Sequence, residues 1–278
     1  MIARIENIST LDLPQLEPYR TLKQPLEHLQ KGIFVAEGEK VVLRLLASNI
    51  RTYSVLLSHD WFETIKIKLE DHHDMIDVYV GDKRLIDTIV GHRLHQAIMA
   101  IGQVPKPISV TELCERVKER SDFLAVAVDG ITNSENMGVI IRNCACFGVD
   151  AVIILPTSCN PYLRRSVRNS MGNIFTLPLI HLSDIKNDIA KLKSIGLQHY
   201  GAHPDKKSNN IRNVTFGRKS CIVFGSEGYG ISKEVLTMCD TLMAIPMSDG
   251  VDSLNVASAS AVVLFEINKP HDDNSKAK

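Results

Sequence analysis

Cys221-Ile222-Val223-Phe224-Gly225-Ser226-Glu227-Gly228-Tyr229-Gly230 decides how the rest of this chain is read. Four apolar residues run together, as in a strand buried on both faces of a parallel sheet. The glycines that follow let the backbone turn sharply and come close to a ligand. Their spacing is G-x-x-G-x-G, which differs from the dinucleotide fingerprint G-x-G-x-x-G, and the chain contains neither that fingerprint nor a P-loop. Taken alone, the segment is equally well an ordinary strand-to-helix turn, with Ser232 capping the next helix.

Two further blocks stand in the same kind of place, where an apolar run ends or begins. Upstream, Phe123 to Val128 is continuous and apolar, and Asn136-Met137-Gly138-Val139-Ile140-Ile141-Arg142 follows it. Gly138 to Phe147 is predicted to be helical. Asn136 precedes it and can cap its free amides. Arg142 is either a solvated helical arginine or one fixed by Ile140, Ile141 and Cys144. Downstream, Ile245-Pro246-Met247 runs into Ser253-Leu254-Asn255-Val256-Ala257-Ser258, and Ser253 or Asn255 can cap a last helix from Asn255 to Ile267. Strands are expected at Ala151 to Leu155 and Leu242 to Ile245 as well. Alternating β and α elements point to a doubly wound α/β sheet.

In this order the three blocks resemble the signature motifs of the SpoU/TrmH class of SPOUT RNA methyltransferases. The resemblance implies a parallel-sheet α/β domain with a deep trefoil knot, although knots are nearly absent from other folds. It implies S-adenosylmethionine as cofactor and methylation of a ribose 2′-hydroxyl in structured RNA. The family's catalytic residues fall on Asn136, Arg142, Glu227, Ser253 and Asn255. Its cofactor pocket falls on Phe224, Gly225, Ser226, Gly228, Gly230, Ile245, Met247, Ser253 and Leu254. Arg168-Asn169-Ser170-Met171-Gly172 matches a segment on the RNA side of the site in relatives, and Arg164, Arg165 and Arg168 are the candidate RNA contacts. Relatives are homodimers that complete the active site across the interface. Activation of the hydroxyl is assigned in the family to the arginine, helped by the serine. A guanidinium holds its proton at physiological pH, so pinning a phosphate and stabilising the alkoxide suits Arg142 better than acting as a base.

The first 105 residues alternate short strand and helix patterns, from Ile33–Glu37 through Ala97–Ile101. Gly32-Ile33-Phe34-Val35-Ala36-Glu37-Gly38 and Ala100-Ile101-Gly102-Gln103-Val104-Pro105 look like the ribosomal-protein-like α/β sandwich that accompanies many SpoU catalytic domains. The expected organisation is an RNA-binding domain over 1–105, a linker over 106–120 at Val104-Pro105-Lys106-Pro107, a methyltransferase domain over 121–268 and a disordered polar tail over 269–278. The accessory domain favours ribosomal RNA over tRNA as substrate.

Composition sets bounds on this reading. In 278 residues, 44% are hydrophobic and 23% charged, enough for packed cores. No apolar stretch approaches a membrane span, and the N-terminus lacks a signal-peptide core. Six cysteines without a C-x-x-C pair read as free thiols, mostly buried, in a reducing compartment, with the cytoplasm as the default. Lysine plus arginine equals aspartate plus glutamate, 32 each, so RNA must be met by a local basic face such as Arg164, Arg165 and Arg168, or Lys206 and Lys207. The pairs His72/His73 and His92/His95 lack metal-ligand spacing and evident acidic partners, so no metal is expected. Two rivals remain: an inactive RNA-binding relative, and a nucleotide-dependent enzyme on an ordinary Rossmann sheet. The five-residue catalytic set speaks against the first, and the missing phosphate fingerprint against the second.

Overall fold

The computed structural model describes residues 1–90, 97–205, 207–250 and 253–268. His92, His95, Lys206 and the expected tail over 269–278 lie outside the described residues. The chain divides into two compact units, 1–106 with 160–176, and 107–159 with 177–268 of the described residues.

The first unit holds β1 (Ile2–Ile8), α1 (Glu17–Arg20), α2 (Pro25–Gln30), β2 (Ile33–Glu37), α3 (Glu39–Leu46), β3 (Thr52–Ser58), α4 (His59–Glu70), β4 (Ile76–Gly81), α5 (Lys83–Val90) and β5 (Ile98–Gln103). Its sheet runs β1-β4-β3-β5-β2, parallel at β1–β4 and β4–β3 and antiparallel where β5 meets β3 and β2. One core gathers Leu16, Tyr19, Val35, Leu56, Tyr79, Ile86 and Met99. The Tyr19 hydroxyl would be stranded in that core, but it bonds the Ser54 hydroxyl at 2.8 Å.

The second unit starts with α6 (Val110–Glu119), whose first amides are capped by Ser109. Then come β6 (Phe123–Asp129), α7 (Ser134–Cys146) and β7 (Ala151–Ile154). The chain next enters the first unit as α8 (Arg164–Asn169) and returns as β8 (Leu179–His181), α9 (Ile185–Ser194), β9 (Gln198–Ala202), β10 (Asn209–Asn210), β11 (Lys219–Gly225), α10 (Lys233–Met238), β12 (Thr241–Ala244) and α11 (Val256–Ile267). The sheet order is β10-β12-β9-β11-β6-β7-β8, parallel throughout. Strand β6 therefore has β7 on one side and the much later β11 on the other. In open α/β sheets such a reversal of direction opens a crevice at the C-terminal strand ends.

Two details differ from expectation. Asn136 does not precede its helix. The cap is Asn133, whose Oδ1 accepts from the amides of Glu135 (2.8 Å) and Asn136 (3.3 Å), so Asn136 sits in the first turn with its side chain released for other work. The His72/His73 pair does have an acidic neighbour. Asp74 Oδ2 lies 3.9 Å from His72 Nδ1 and 3.5 Å from His73 Nε2. These three side chains bring potential ligand atoms within 4.8 Å of one another. Internal bonds already use the group, because His72 Nδ1 accepts from the Asp74 amide at 3.0 Å and Asp74 Oδ2 accepts from the Thr52 amide at 2.7 Å.

All six cysteines are free thiols. Cys144 and Cys221 are buried, and burial pushes both well above the ordinary thiol range, whereas Cys146 is exposed. No helix among the described residues is long and apolar enough to cross a membrane.

His199 on β9 gives the fold a dependence on pH. It is 2% exposed, its Nδ1 lies 3.0 Å from the Leu197 carbonyl, and Nε2 has no partner. Burial lowers its pKa to about 4, against the opposing pull of Asp240. The unfolded chain would bind this proton near pH 6.5. Stability from neutral His199 is therefore complete above that pH and is lost as pH falls from about 6.5 towards 4, up to about 3 kcal/mol in all. Thermal unfolding from pH 7.5 to 4.5 should show a shallower slope in His199→Gln than in the natural chain. Equal slopes would mean that other groups carry the acid response.

Candidate functional site

The site assembles at the C-terminal ends of β6, β9, β11 and β12. Strand β11 ends at Gly225, level with Asp129 of β6, and the chain reverses at once. Ser226 and Gly230 exchange backbone hydrogen bonds (3.0 and 2.9 Å), closing a tight hairpin, and the Ser226 hydroxyl accepts from the Tyr229 amide at 3.1 Å. A Cβ on Gly225 would stand 2.1 Å from both the Gly230 carbonyl carbon and the Ile231 nitrogen, so only glycine lets this strand and its own return pack together. Asp129, 2% exposed, fastens the far end of the hairpin. One carboxylate oxygen accepts from the Ser232 amide (2.7 Å) and the other from Thr157 Oγ1 (3.0 Å).

One cavity of about 290 Å³ lies against this hairpin. All nine residues expected to hold a cofactor line it: Phe224, Gly225, Ser226, Gly228 and Gly230 from β11 and its hairpin, Ile245 and Met247 after β12, and Ser253 and Leu254 before α11. Ala202, His203 and Pro204 at the end of β9 complete the wall without having been anticipated. His-Pro after a polar strand reads as plain loop, and only the pairing of β9 with β11 brings it here. Most of the lining is apolar, and Glu227 is its only acidic member among the described residues. A slot of this kind fits a molecule with an aromatic base, a cationic centre and an amino-acid end, which are the parts of S-adenosylmethionine.

Asn255 joins the motifs. Its Oδ1 caps α11, accepting from the amides of Ala257 (2.9 Å) and Ser258 (3.3 Å). Its Nδ2 donates to Asn136 Oδ1 (3.2 Å) and, in a shorter contact, to Glu227 Oε1. One carboxamide therefore caps a helix and links α7 to the glycine hairpin. Ser253 is exposed at the edge of the cavity.

Arg142 stands apart from this group. It is exposed on α7, lines none of the cavities around the hairpin, and its side chain makes no hydrogen bond or ion pair with another described residue. Helix α7 instead grips α11 through Asn143, whose Nδ2 donates to the Ala257 carbonyl and to Ser260 Oγ, each at 2.9 Å.

The arginines of α8 lie in the first unit. Arg164 and Arg168 converge on Glu37 at the end of β2, Arg164 in a short contact and Arg168 at 3.4 Å. The Glu37 side chain is only 5% exposed and that of Arg164 19%, whereas Arg168 is 59% exposed. A buried carboxylate needs such a partner, so Arg164 is largely committed to the fold. Arg165 points outward.

Comparison with known proteins gives the arrangement a context. The sequence profile of the SpoU rRNA methylase family matches residues 124–265. An uncharacterised tRNA/rRNA methyltransferase of Mycobacterium tuberculosis is 30% identical over 275 residues, covering 94% of this chain and 91% of that protein. A 23S rRNA (uridine(2479)-2′-O)-methyltransferase of Streptomyces viridochromogenes is 25% identical over 236 residues, covering 80% of this chain and 81% of its own. In fold, the chain is similar to an AdoMet-bound rRNA methyltransferase from Sinorhizobium meliloti, with a TM-score of 0.80 at 22% identity over 95% of this chain and 97% of that one.

Proposed function

Since this chain belongs to the SpoU rRNA methylase family, we propose that it transfers a methyl group from S-adenosylmethionine to a ribose 2′-hydroxyl of structured RNA. The observation that carries this reading is the hydrogen-bonded chain Asn136–Asn255–Glu227, which ties all three motif blocks together at the cofactor cavity. When bound, the cofactor supplies a methyl group on a positively charged sulfur. The hairpin and the segment 245–254 hold it: the glycines by close backbone approach, and Ile245, Met247 and Leu254 by covering its base. Glu227 is the acid placed to face a cation there.

A ribose hydroxyl attacks well only when its proton is being lost and the developing charge is met by fixed donors. Ser253 and the Asn136–Asn255 pair are the neutral donors and acceptors closest to that task. Arg142 supplies the permanent positive charge, gripping the phosphate next to the target ribose. Because Arg142 lies outside the two cavities at the hairpin of its own chain, we infer a homodimer in which the partner's α7 brings it to the site. Helix α11 supports this. It carries a single acid, Glu266, and leaves Phe265 60% and Val262 42% exposed, an apolar surface of the kind that marks an interface. Sedimentation at micromolar concentration should give a dimer, and Phe265→Glu should give a monomer with little activity. A monomeric natural chain would remove this part of the proposal.

Ribosomal RNA is the proposed substrate in preference to tRNA, supported by the match along four-fifths of its length to a 23S rRNA enzyme. Arg165 and Arg168 are the proposed phosphate contacts, with Arg164 behind them in its pair with Glu37. We also infer a trefoil knot, supported by β11 lying between the earlier β6 and β9 and by α11 returning onto α7. Six free thiols suit the cytoplasm, the compartment proposed here. The test is direct. Ribosomal RNA from cells lacking the protein is incubated with methyl-labelled S-adenosylmethionine and digested to nucleosides. Label in a 2′-O-methylnucleoside supports the reading, and label confined to bases, or none in any RNA fraction, removes it.

A further inference from the structure

The glycine hairpin contributes to two cavities. Besides the cofactor cavity there is a second, of about 450 Å³, lined by the same residues 226–230 and by the loop that follows β6. Its buried members are Ile131, Val256 and Asp129, and its exposed ones include Thr132, Thr157, Glu227 and Tyr229. Glu227 lines both cavities, whereas Asn136, at the other end of the hydrogen-bonded chain, lines only the second. The polar chain thus leads from the donor's cavity to this one.

Two features define what the second cavity can take. No lysine or arginine lines it among the described residues. Asp129, its buried acid, has both carboxylate oxygens occupied by Ser232 and Thr157. It therefore suits an uncharged group and not a phosphate. At its edge stands Tyr229, 96% exposed. An aromatic ring held almost wholly in water is unusual. Here the backbone beneath it is fixed by the Ser226–Gly230 bonds and by the Tyr229 amide on Ser226 Oγ. An outward aromatic ring on a fixed backbone, beside a partly apolar cavity without basic residues among the described ones, is a stacking platform for a nucleobase turned out of its helix.

We propose that this second cavity receives the base of the nucleotide whose ribose is methylated, with Tyr229 stacked on that base. The inference rests on the function proposed above. It places donor and acceptor on opposite sides of one hairpin and makes Tyr229 and Thr132 determinants of substrate choice.

Tyr229→Ala, Tyr229→Phe and Thr132→Phe are compared with the natural chain on ribosomal RNA from cells lacking the protein, with S-adenosylmethionine titration and sedimentation alongside. Losing one stacked base should lower kcat/KM for RNA by about 10- to 100-fold in Tyr229→Ala. Tyr229→Phe, which keeps the ring, should recover most of it. Thr132 lines only the second cavity, whereas Tyr229 lines both, so Thr132→Phe should lose RNA turnover while binding cofactor like the natural chain, and all three variants should sediment like it. Unchanged RNA kinetics in Tyr229→Ala and Thr132→Phe overturn the proposal. So does a Thr132→Phe loss accompanied by weaker cofactor binding, or a Tyr229→Ala loss accompanied by a change of oligomeric state, which would make Tyr229 a contact to a second copy. A natural chain that methylates no RNA is a separate failure, that of the underlying activity.

Discussion

Replacing Arg142 with alanine should lower methyl transfer to RNA by about 100- to 1000-fold while leaving S-adenosylmethionine binding intact. The size comes from the charge that the side chain must meet. A fixed donor aimed at a developing oxyanion acts where water is excluded, and removing one typically costs two to three orders of magnitude in rate. The selectivity comes from position. Arg142 lines none of the cavities around the hairpin and its side chain has no bonded partner among the described residues, so truncating it leaves the cofactor walls untouched. Its helix is held by Met137, Ile140, Ile141 and Cys144 on the buried face and by Asn143 on α11, none of which the substitution alters. Arg142→Lys keeps the charge but loses the two-pronged grip on a phosphate, and should restore only part of the rate. The pair of measurements is turnover on RNA and calorimetric titration with the cofactor. Loss of both together would make Arg142 a structural residue.

The second large effect should come from a single methyl group. Gly225→Ala is expected to weaken S-adenosylmethionine binding by about 100-fold or more. The added carbon meets the Gly230 carbonyl carbon and the Ile231 nitrogen at 2.1 Å, and neither is a flexible chain end that can swing away. Relief requires the hairpin to open, which breaks the paired Ser226–Gly230 bonds and moves most of one cavity wall. Overpacking in close-packed surroundings typically costs up to about 3 kcal/mol, and that much taken from binding is roughly a 150-fold change in affinity. Circular dichroism and thermal unfolding separate this from global failure: β11 remains clamped between β6 and β9, so the variant should still fold. Cofactor affinity equal to that of the natural chain would mean that the hairpin is not part of the binding wall.

Much of the second unit was legible because its central strands are uninterrupted apolar runs. Phe123–Asp129 and Lys219–Gly225 are buried on both faces and announce themselves as such. Strands β8 and β9 do not. The first is three residues long, and the second, Gln-His-Tyr-Gly-Ala, buries a histidine and a tyrosine where an isoleucine or valine would signal a core strand. That hidden strand carries His203 and Pro204 into the cofactor wall. In the same way, the linear reading makes Asn136 the cap, and only the helix start at Ser134 moves that role to Asn133. Asp129 gave no signal at all. An acid ending an apolar run looks like a solvated strand terminus until its two partners, Thr157 and Ser232, are brought in from distant segments. The pairing of Glu37 with Arg164 and Arg168 is hidden for the same reason. Contacts that join remote parts of a chain leave no periodic trace.

The position of β11 in the sheet bears on how the protein is born. Its hydrogen bonds are to β6, made early in synthesis, and to β9, made later, so the middle of the sheet is a vacancy until a late stretch of chain fills it. Pairings this distant along the chain are slow to form, because the entropy of closing the loop is spent before any contact returns it. A nascent chain halted between Ala202 and Lys219 would expose the facing edges of β6 and β9 unfilled, a state prone to aggregate. Truncation or ribosome stalling in this region should therefore yield insoluble product and not a smaller working enzyme.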